Sequence, residues 1–187
     1  MASIITATTT SGLTHSADNS GVLQLASGTG NLVTIPSVTG TVMVSGNMPA
    51  FSAYQSVQQS GISAWTPTKI TFTTEDFDTN NNFASSRFTP TVAGYYQINY
   101  QLQVQSANTN AYMLALLYKN GTQISQGSLS VGVGSAHPNS SGSKVVYMNG
   151  SSDYLEVYAY GTGGSSTYSL EAAVAATNFS GCLLRAA

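Results

Sequence analysis

The acidic residues of this chain offer one candidate metal site. Residues Glu75 to Asn82 (EDFDTNNN) alternate carboxylates with amide oxygens, which are the ligands that a hard cation such as Ca²⁺ accepts. The calcium-loop pattern then fails, because Asn81 stands where the sharp turn needs glycine and Arg87 stands where a bidentate glutamate belongs. We therefore interpret the segment as a solvated connection between strands, and the sequence predicts neither a metal ion nor a cofactor.

Groups that could act in catalysis are equally sparse. The two histidines, His15 and His137, lie far apart, and serine is so frequent that a serine near His137 does not indicate a triad. Asp153 and Glu156 could form a carboxylate pair for glycoside cleavage, but a separation of three places them on opposite faces of a strand. Cys182 is interpreted as a small buried apolar residue. The sequence predicts a protein that is not an enzyme.

The tyrosines of the second half of the chain have two interpretations. Tyr158, Tyr160 and Tyr168 flank the glycine- and serine-rich segment 161–166 (GTGGSS). They could form an exposed aromatic surface that binds a glycan or a protein partner. Packing inside the fold is the alternative, and it is the one we favour.

Composition sets the class of protein. The chain has 187 residues, of which only 6% are charged, and its net charge is −2. No basic run is present to displace the counterions of a nucleic acid, so nucleic acid is excluded as a partner. No apolar run approaches the ~20 residues that span a bilayer, so no membrane insertion is expected. One cysteine excludes an internal disulfide.

Residues 1–48, which we call the leader, contain no aromatic residue and a single charged side chain, Asp18. Three short alternating segments, at 22–25, 32–35 and 41–44, predict strands that recur every nine or ten residues. Such thin strands need a partner surface to leave water. Six apolar positions are the candidate anchors for that partner: Leu23, Leu25, Val33, Ile35, Val42 and Val44.

Residues 49–187, which we call the knob, read as a series of strands without a helix. The clearest is 94–105 (GYYQINYQLQVQ), where Tyr96, Ile98 and Tyr100 share one face and glutamines the other, as in a half-buried antiparallel strand. The segment 112–119 (YMLALLYK) is apolar on both faces. About ten short strands indicate an all-β sandwich or jelly roll.

Turn and core residues follow from these strands. Asn120-Gly121 and Asn149-Gly150 each match the favoured two-residue hairpin turn. The candidates for the core or for an interface between subunits are Tyr96, Ile98, Tyr100, Leu114, Leu116 and Phe179.

Four blocks of the knob resemble, in order, the pattern of the C1q-like domain. They are residues 88–96 (FTPTVAGYY), 118–121 (YKNG), 153–157 (DYLEV) and 179–184 (FSGCLL). The resemblance covers about residues 49–187 and implies a ten-stranded C1q-like jelly roll that assembles as a homotrimer. No collagen repeat precedes the domain. Residues 19–46 resemble instead the short-strand leaders of tailed-bacteriophage fibre and decoration proteins.

Two functions follow from these resemblances. The first is a structural protein of the virion surface, a trimeric knob that its leader fixes to the major capsid protein as a decoration or cement protein. The second is a short tail fibre or adhesin, whose knob binds a host-surface glycan or protein. We favour the first, because 48 leader residues broken into three strands offer little reach.

Overall fold

The computed structural model describes residues 23–26, 32–35, 43, 46, 48–105, 111–134 and 136–187. The chain divides into two units, Met1–Val42 and Met43–Ala187. In the first, β1 (Leu23–Ala26) and β2 (Leu32–Ile35) form an antiparallel hairpin that pairs Leu23 with Ile35 and Leu25 with Val33. The other two anchor candidates, Val42 and Val44, lie outside the described residues.

The second unit is built from strands, most of them short. These are β3 (Ala50–Tyr54), β4 (Ile62–Ser63), β5 (Thr68–Lys69), β6 (Thr74–Asp78), β7 (Phe83–Ala84), β8 (Arg87–Phe88), β9 (Gly94–Gln103), β10 (Ala111–Lys119), β11 (Thr122–Gln126), β12 (Ser130–Gly132), β13 (Asn139–Met148), β14 (Leu155–Thr162), β15 (Thr167–Tyr168) and β16 (Asn178–Ala186). Among the described residues, no helix is long and apolar enough to cross a membrane.

Two antiparallel sheets enclose the core of this unit. The β9 sheet has the strand order β13-β9-β16-β3-β6. The β10 sheet has the order β11-β10-β14-β8-β7, with β12 and β5 pairing with β10 and β14. β15 and β4 form a separate pair. The all-β sandwich predicted from the sequence is confirmed.

Alternation along β9 determines which side of its sheet is buried. Tyr96, Ile98 and Tyr100 are at most 1% exposed and belong to the core, while the residues between them point outward. Gly142 lies opposite Tyr100 on β13, and any Cβ there would overlap the tyrosine ring. The close approach of ring and backbone therefore requires glycine at this position.

An aromatic cluster joins the two sheets. The Phe51 ring stacks on Phe88 at 4.2 Å and on Phe83 at 5.0 Å, and it meets the edge of Phe179 at 4.9 Å. Phe51 and Phe179 come from the β9 sheet, and Phe83 and Phe88 from the β10 sheet. Burial of each ring contributes about 1.5 to 3 kcal/mol before ordering costs, so this cluster is a main reason why the sheets pack together.

One of the two predicted hairpin turns is confirmed and the other is wrong. Asn120 and Gly121 both have positive φ, 51° and 78°, and they join the paired strands β10 and β11. Asn149-Gly150 instead leads from β13 in the β9 sheet to β14 in the β10 sheet. The Asn149 side-chain oxygen accepts hydrogen bonds from the backbone N–H groups of residues 151 to 153, and these bonds close a turn within the crossover.

Candidate functional site

The outward side of the β10 sheet carries a row of large side chains. Residues 113, 115 and 117 of β10 join the core, so Leu114 and Leu116 point outward, opposite Tyr160 and Tyr158 of β14. Both leucines are nevertheless buried, at 8% and 4% exposed. Neighbouring side chains of this outward side cover them. These two candidates therefore lie beneath a surface of the knob and not in its core.

Three rings at one end of this row form what we call the aromatic patch: Trp65, Tyr112 and Tyr160. The Trp65 ring centroid lies 5.2 Å from that of Tyr112 and 5.9 Å from that of Tyr160, at interplanar angles of 48° and 65°. The two tyrosine rings are 6.4 Å apart at 85°. Because the rings are tilted against one another, each can keep part of a face open. Trp65 is 54% exposed.

The backbone holds Trp65 in an unfavourable conformation. Its φ is 60°, a left-handed region that a bulky residue rarely adopts. The Trp65 N–H donates to the Gly161 carbonyl at 2.8 Å, and the preceding Ala64 N–H donates to the Ser166 carbonyl at 2.9 Å. Two hydrogen bonds, one to the end of β14 and one to the loop after it, thus fix a strained turn that presents a large ring to solvent.

Gly161 makes this arrangement possible on the β14 side. A Cβ at this position would overlap the carbonyl oxygen of Tyr112, which lies on the neighbouring strand β10. The absence of a side chain therefore lets the backbones that carry Tyr112 and Tyr160 approach closely beneath the Trp65 turn.

A charged cluster occupies the other end of the row. Glu156 Oε1 accepts Lys69 Nζ at 2.6 Å and Arg87 Nε at 2.9 Å, and the Glu156 side chain is 4% exposed. Burial acts to raise the pKa of the Glu156 carboxyl, but the hydrogen bonds and charges of Lys69 and Arg87 outweigh burial and lower that pKa. In this cluster the charge of the Glu156 carboxylate on β14 is neutralised by Lys69 on β5 and Arg87 on β8, so the ion pairs connect these three strands.

Two ring contacts extend this cluster. The Tyr158 ring lies 4.2 Å from that of Tyr118, and its hydroxyl donates to Glu156 Oε2 at 3.3 Å. The Arg87 guanidinium lies 3.9 Å above the Tyr154 ring. Tyr158 is therefore engaged with the structural ion cluster and presents less open surface than the aromatic patch.

The three tyrosines chosen from the sequence do not form one surface. Tyr158 and Tyr160 lie on the same outward side of β14, half-buried. Tyr168 is not part of a ligand surface, because it is 5% exposed and belongs to the core, in agreement with the packing interpretation that the sequence favoured. It pairs with Ile62 through β15 and β4, and that pairing turns its ring inward. The sequence did not single out Trp65 or Tyr112 as site residues. An isolated tryptophan among Ser, Thr and Pro was the one available signal.

The outward side of the β9 sheet, which we call the β9 face, has a different character. Tyr95 and Tyr147 are opposite each other in register, 45% exposed, with ring centroids 5.5 Å apart. Val145 is 49% exposed and lies opposite Gln97. The outward residues of β13, β9 and β16 carry a single charge, on Arg185. The face is thus apolar at one end and rich in amides and hydroxyls along the rest.

Cys182 also belongs to the β9 face, which corrects the expectation that it is buried. Side chains alternate along β16, and its inward positions are those of Phe179, Gly181 and Leu183. Cys182 therefore points outward and is exposed. Register places it opposite Gln97 on β9 and Ala50 on β3. It therefore lies in one row with Val145.

The acidic segment is only partly the connection between strands that the sequence predicted, because its first half, residues 75–78, belongs to a strand, and residues 79–82 form the connection to β7. Residues 74 to 78 form β6, which pairs with β3 at the edge of the β9 sheet. Asp78 Oδ2 accepts the Phe83 N–H at 2.7 Å, and Asp76 Oδ2 accepts the Ser52 hydroxyl at 2.8 Å. These carboxylates thus serve local structure. Within the described ranges, no three His, Cys, Asp or Glu side chains come together as a metal site would require.

Asp153 and Glu156 do not share a cleft between them. Asp153 lies in the crossover before β14, so the argument from opposite faces of one strand does not apply to it. It binds Lys119 Nζ at 2.7 Å and accepts the Asn120 amide at 2.7 Å. The hydrogen bond from Lys119, followed by that from Asn120, lowers the pKa of the Asp153 carboxyl. Asp153 and Glu156 thus each bind separate cations.

Comparison with known proteins defines the fold. No protein-family model matches the chain, and no curated protein matches it in sequence. A solved structure of the globular domain of zebrafish complement 1qA protein covers 74% of this chain and 98% of its own, at 19% identity and a TM-score of 0.54. The knob resembles a C1q/TNF-type jelly roll.

Two further structures agree with this result. Murine APRIL matches over 73% of this chain and 99% of its own, at 10% identity and a TM-score of 0.50. Eiger TNF from S. frugiperda matches over 75% and 93%, at 10% identity and a TM-score of 0.51. Identities this low bear on the fold alone. The resemblance of the leader to bacteriophage proteins stays a prediction.

Proposed function

We propose that this chain is a non-enzymatic structural protein of a bacteriophage virion, a homotrimeric jelly-roll knob that decorates the capsid surface. The observation that carries the self-association is the part of the β9 face formed by β13, β9 and β16, whose outward residues carry a single charge, on Arg185, and expose Tyr95, Val145 and Tyr147 at one end. A contiguous exposed apolar surface of this kind marks an interaction site.

Self-association is the simplest way to cover this face. Amides and hydroxyls on β9 can form hydrogen bonds across an interface, while the aromatic end supplies apolar area. Because the outward residues of β13, β9 and β16 carry only the Arg185 charge, charge repulsion between copies that pack through these three strands would be small. Closed symmetry allows each copy to use the same surfaces, and the resemblance to C1q-like domains favours a threefold arrangement.

We assign attachment to the leader, and we propose that the leader binds the major capsid protein. The leader contains no Lys or Arg, so apolar contact must provide its binding energy. The hairpin β1–β2 pairs four of the six anchor candidates, Leu23 with Ile35 and Leu25 with Val33. Three leaders per trimer would act together through multivalency.

A pair of valine variants tests the trimer. Val145→Glu places a charge on the β9 face, whereas Val131→Glu places the same charge on the β10 sheet at a similarly exposed valine, 62% against 49%. Native mass spectrometry should show trimer for the wild type and for V131E, and monomer for V145E. A monomeric wild-type protein at micromolar concentration, or a trimeric V145E, would refute the assignment of this face.

The anchor is tested on purified virions. Replacing Val33 and Ile35 together with Asp should release the protein from particles while the knob stays folded by circular dichroism. The number of copies per virion separates the two functions, since hundreds indicate decoration and a few dozen indicate a tail. Mutant particles that retain a full complement of the protein would contradict the anchor.

The second candidate function is a short tail fibre or adhesin that binds a host-surface glycan or protein. The aromatic patch favours it, because Trp65 is exposed in a strained turn on the sheet opposite the β9 face. A trimer formed through the β9 face leaves this patch open, so both functions are compatible with one assembly.

A further inference from the structure

We infer that the aromatic patch of Trp65, Tyr112 and Tyr160 is a binding site for an uncharged saccharide. This inference rests on the second candidate function and names its ligand class and its residues. It does not depend on trimer formation.

The first step is the cost of exposing Trp65. A bulky residue at φ 60° is strained, and the strain persists because the Trp65 N–H is held by the Gly161 carbonyl in β14 and the Ala64 N–H by the Ser166 carbonyl in the loop after β14. Strain of this kind is concentrated at binding and catalytic sites. A residue selected only for packing would be buried, whereas the indole is 54% exposed.

The second step is the shape of the patch. The Trp65 ring lies 5.2 and 5.9 Å from its two tyrosine neighbours and is tilted by 48° and 65° against them, so the three rings form a compact group whose faces point in different directions. The face of an aromatic ring is electron-rich and attracts the polarised C–H groups on the flat side of a sugar ring. Three rings match one or two sugar units, while a standard protein interface covers about 800 Å² per partner.

The third step is charge. The nearest cations of this sheet surface, Lys69 and Arg87, are both bound to the buried carboxylate of Glu156. The residues that directly follow Trp65 and Gly161 in the chain are neutral and polar, and the hydroxyls of Thr66, Thr68 and Ser165 donate to backbone carbonyls, so their oxygens can still accept hydrogen bonds. The Tyr112 and Tyr160 hydroxyls make no hydrogen bond to any residue in the described ranges. Neutral donors and acceptors next to apolar rings suit an uncharged sugar better than an anionic one.

The sequence provides a direct probe, because Trp65 is the only tryptophan of the chain. Lactose, maltotriose, N,N′,N″-triacetylchitotriose and mannotriose are titrated into the full-length protein, and tryptophan emission and acrylamide quenching are followed. We expect at least one of them to shift the emission to shorter wavelength and to protect Trp65 from acrylamide. Sialyllactose should bind no more tightly than lactose.

Variants then test the named rings by isothermal titration calorimetry with the saccharide that binds. Trp65→Ala and Tyr160→Ala should each weaken binding about tenfold or more. Tyr112→Phe keeps the aromatic ring, so it should weaken saccharide binding less than the two alanine variants do. Phe77→Ala is the matched control, because Phe77 is 51% exposed on the β9 sheet, and it should leave binding unchanged.

Separate outcomes distinguish this inference from the proposed assembly. Native mass spectrometry on the same samples measures whether the protein is a trimer, and that measurement does not depend on whether a sugar binds. No response to any of the four neutral sugars would overturn the site, as would unchanged affinity in Trp65→Ala. Tighter binding of sialyllactose would overturn the uncharged ligand class. Binding of a protein from the host surface that Trp65→Ala abolishes, without any sugar response, would assign the patch to a protein partner instead.

Discussion

At the scale of single residues, Glu156 is the side chain whose charge matters most for folding. It is nearly buried, and its carboxylate depends on Lys69 and Arg87. Its pKa in the folded protein is lowered from the ordinary value of 4.5. The stability that it contributes is therefore complete above about pH 4.5 and is lost as the pH falls through the folded-state pKa.

We predict that Glu156→Gln lowers the free energy of unfolding at pH 7 by ~1 to 2 kcal/mol, because two cations lose their partner while water can still reach them. Urea denaturation at pH 7 and pH 3 measures this. The difference between wild type and variant should shrink at pH 3, because the carboxyl is protonated in the unfolded state there and the stability that the lowered folded-state pKa contributes declines as the pH falls below about 4.5. An equal difference at both pH values would contradict the assigned role.

Tyr168 gives a second prediction at this scale. Its hydroxyl is buried and has no hydrogen-bond partner among the described residues, and burial raises the pKa of this phenol. We predict that Tyr168→Phe leaves the melting temperature unchanged or raises it, because an unsatisfied buried hydroxyl is removed.

Tyr96→Phe is the matched control for this prediction. The Tyr96 hydroxyl donates to the Val92 carbonyl at 2.7 Å, so its loss should cost about 1 kcal/mol. Differential scanning calorimetry compares the two variants. A loss of several degrees in Tyr168→Phe would show that the hydroxyl is satisfied after all.

At the scale of elements, the contact between β10 and β14 determines both the sandwich and the aromatic patch. We predict that Gly161→Ala prevents folding or costs more than ~3 kcal/mol, because its Cβ would overlap backbone atoms of Tyr112. Gly46→Ala is the control, since no atom lies within 4 Å of a Cβ there. Chemical denaturation of both variants measures the effect. Equal stability of the two would show that β10 and β14 can separate without loss.

The long strands could be predicted from the sequence because their own side chains encode them. β9 alternates strictly, and β16 carries the inward pattern of Phe179 and Leu183. The short strands β4 and β15 pair with each other across a long stretch of sequence, which no local pattern shows. The same reason explains β6, whose acidic residues read as a loop and whose strand state comes from pairing with β3.

The candidate site was predictable only in part. Alternation along β14 indicated that Tyr158 and Tyr160 share a side, but it could not show that β10 places Tyr112 beside Tyr160. Trp65 follows a two-residue strand in a Ser-, Thr- and Pro-rich segment, so its position depends on hydrogen bonds to residues almost 100 positions later. Packing inside the fold was the favoured interpretation of Tyr168, but the partner strand that buries it, β4, shows no pattern of its own in the sequence.

At the scale of the whole molecule, the chain contains its own reporter of assembly. Cys182 is the only cysteine, it is exposed on the β9 face, and it lies in one row with Gln97 and Val145. If the β9 face is the interface between copies, the thiol is open in the monomer and shielded in the trimer.

We therefore predict that a thiol reagent such as DTNB modifies Cys182 slowly in the wild-type trimer and rapidly in Val145→Glu. Val131→Glu, with the same charge on the other sheet, should react at the wild-type rate. Because the outward residues of β13, β9 and β16 carry only the Arg185 charge, the protection should persist in 1 M salt, where screening weakens ionic interfaces but leaves apolar contacts intact. Rapid labelling of a trimeric wild-type protein would place the interface elsewhere, and protection lost in moderate salt would mean that charges hold the trimer together.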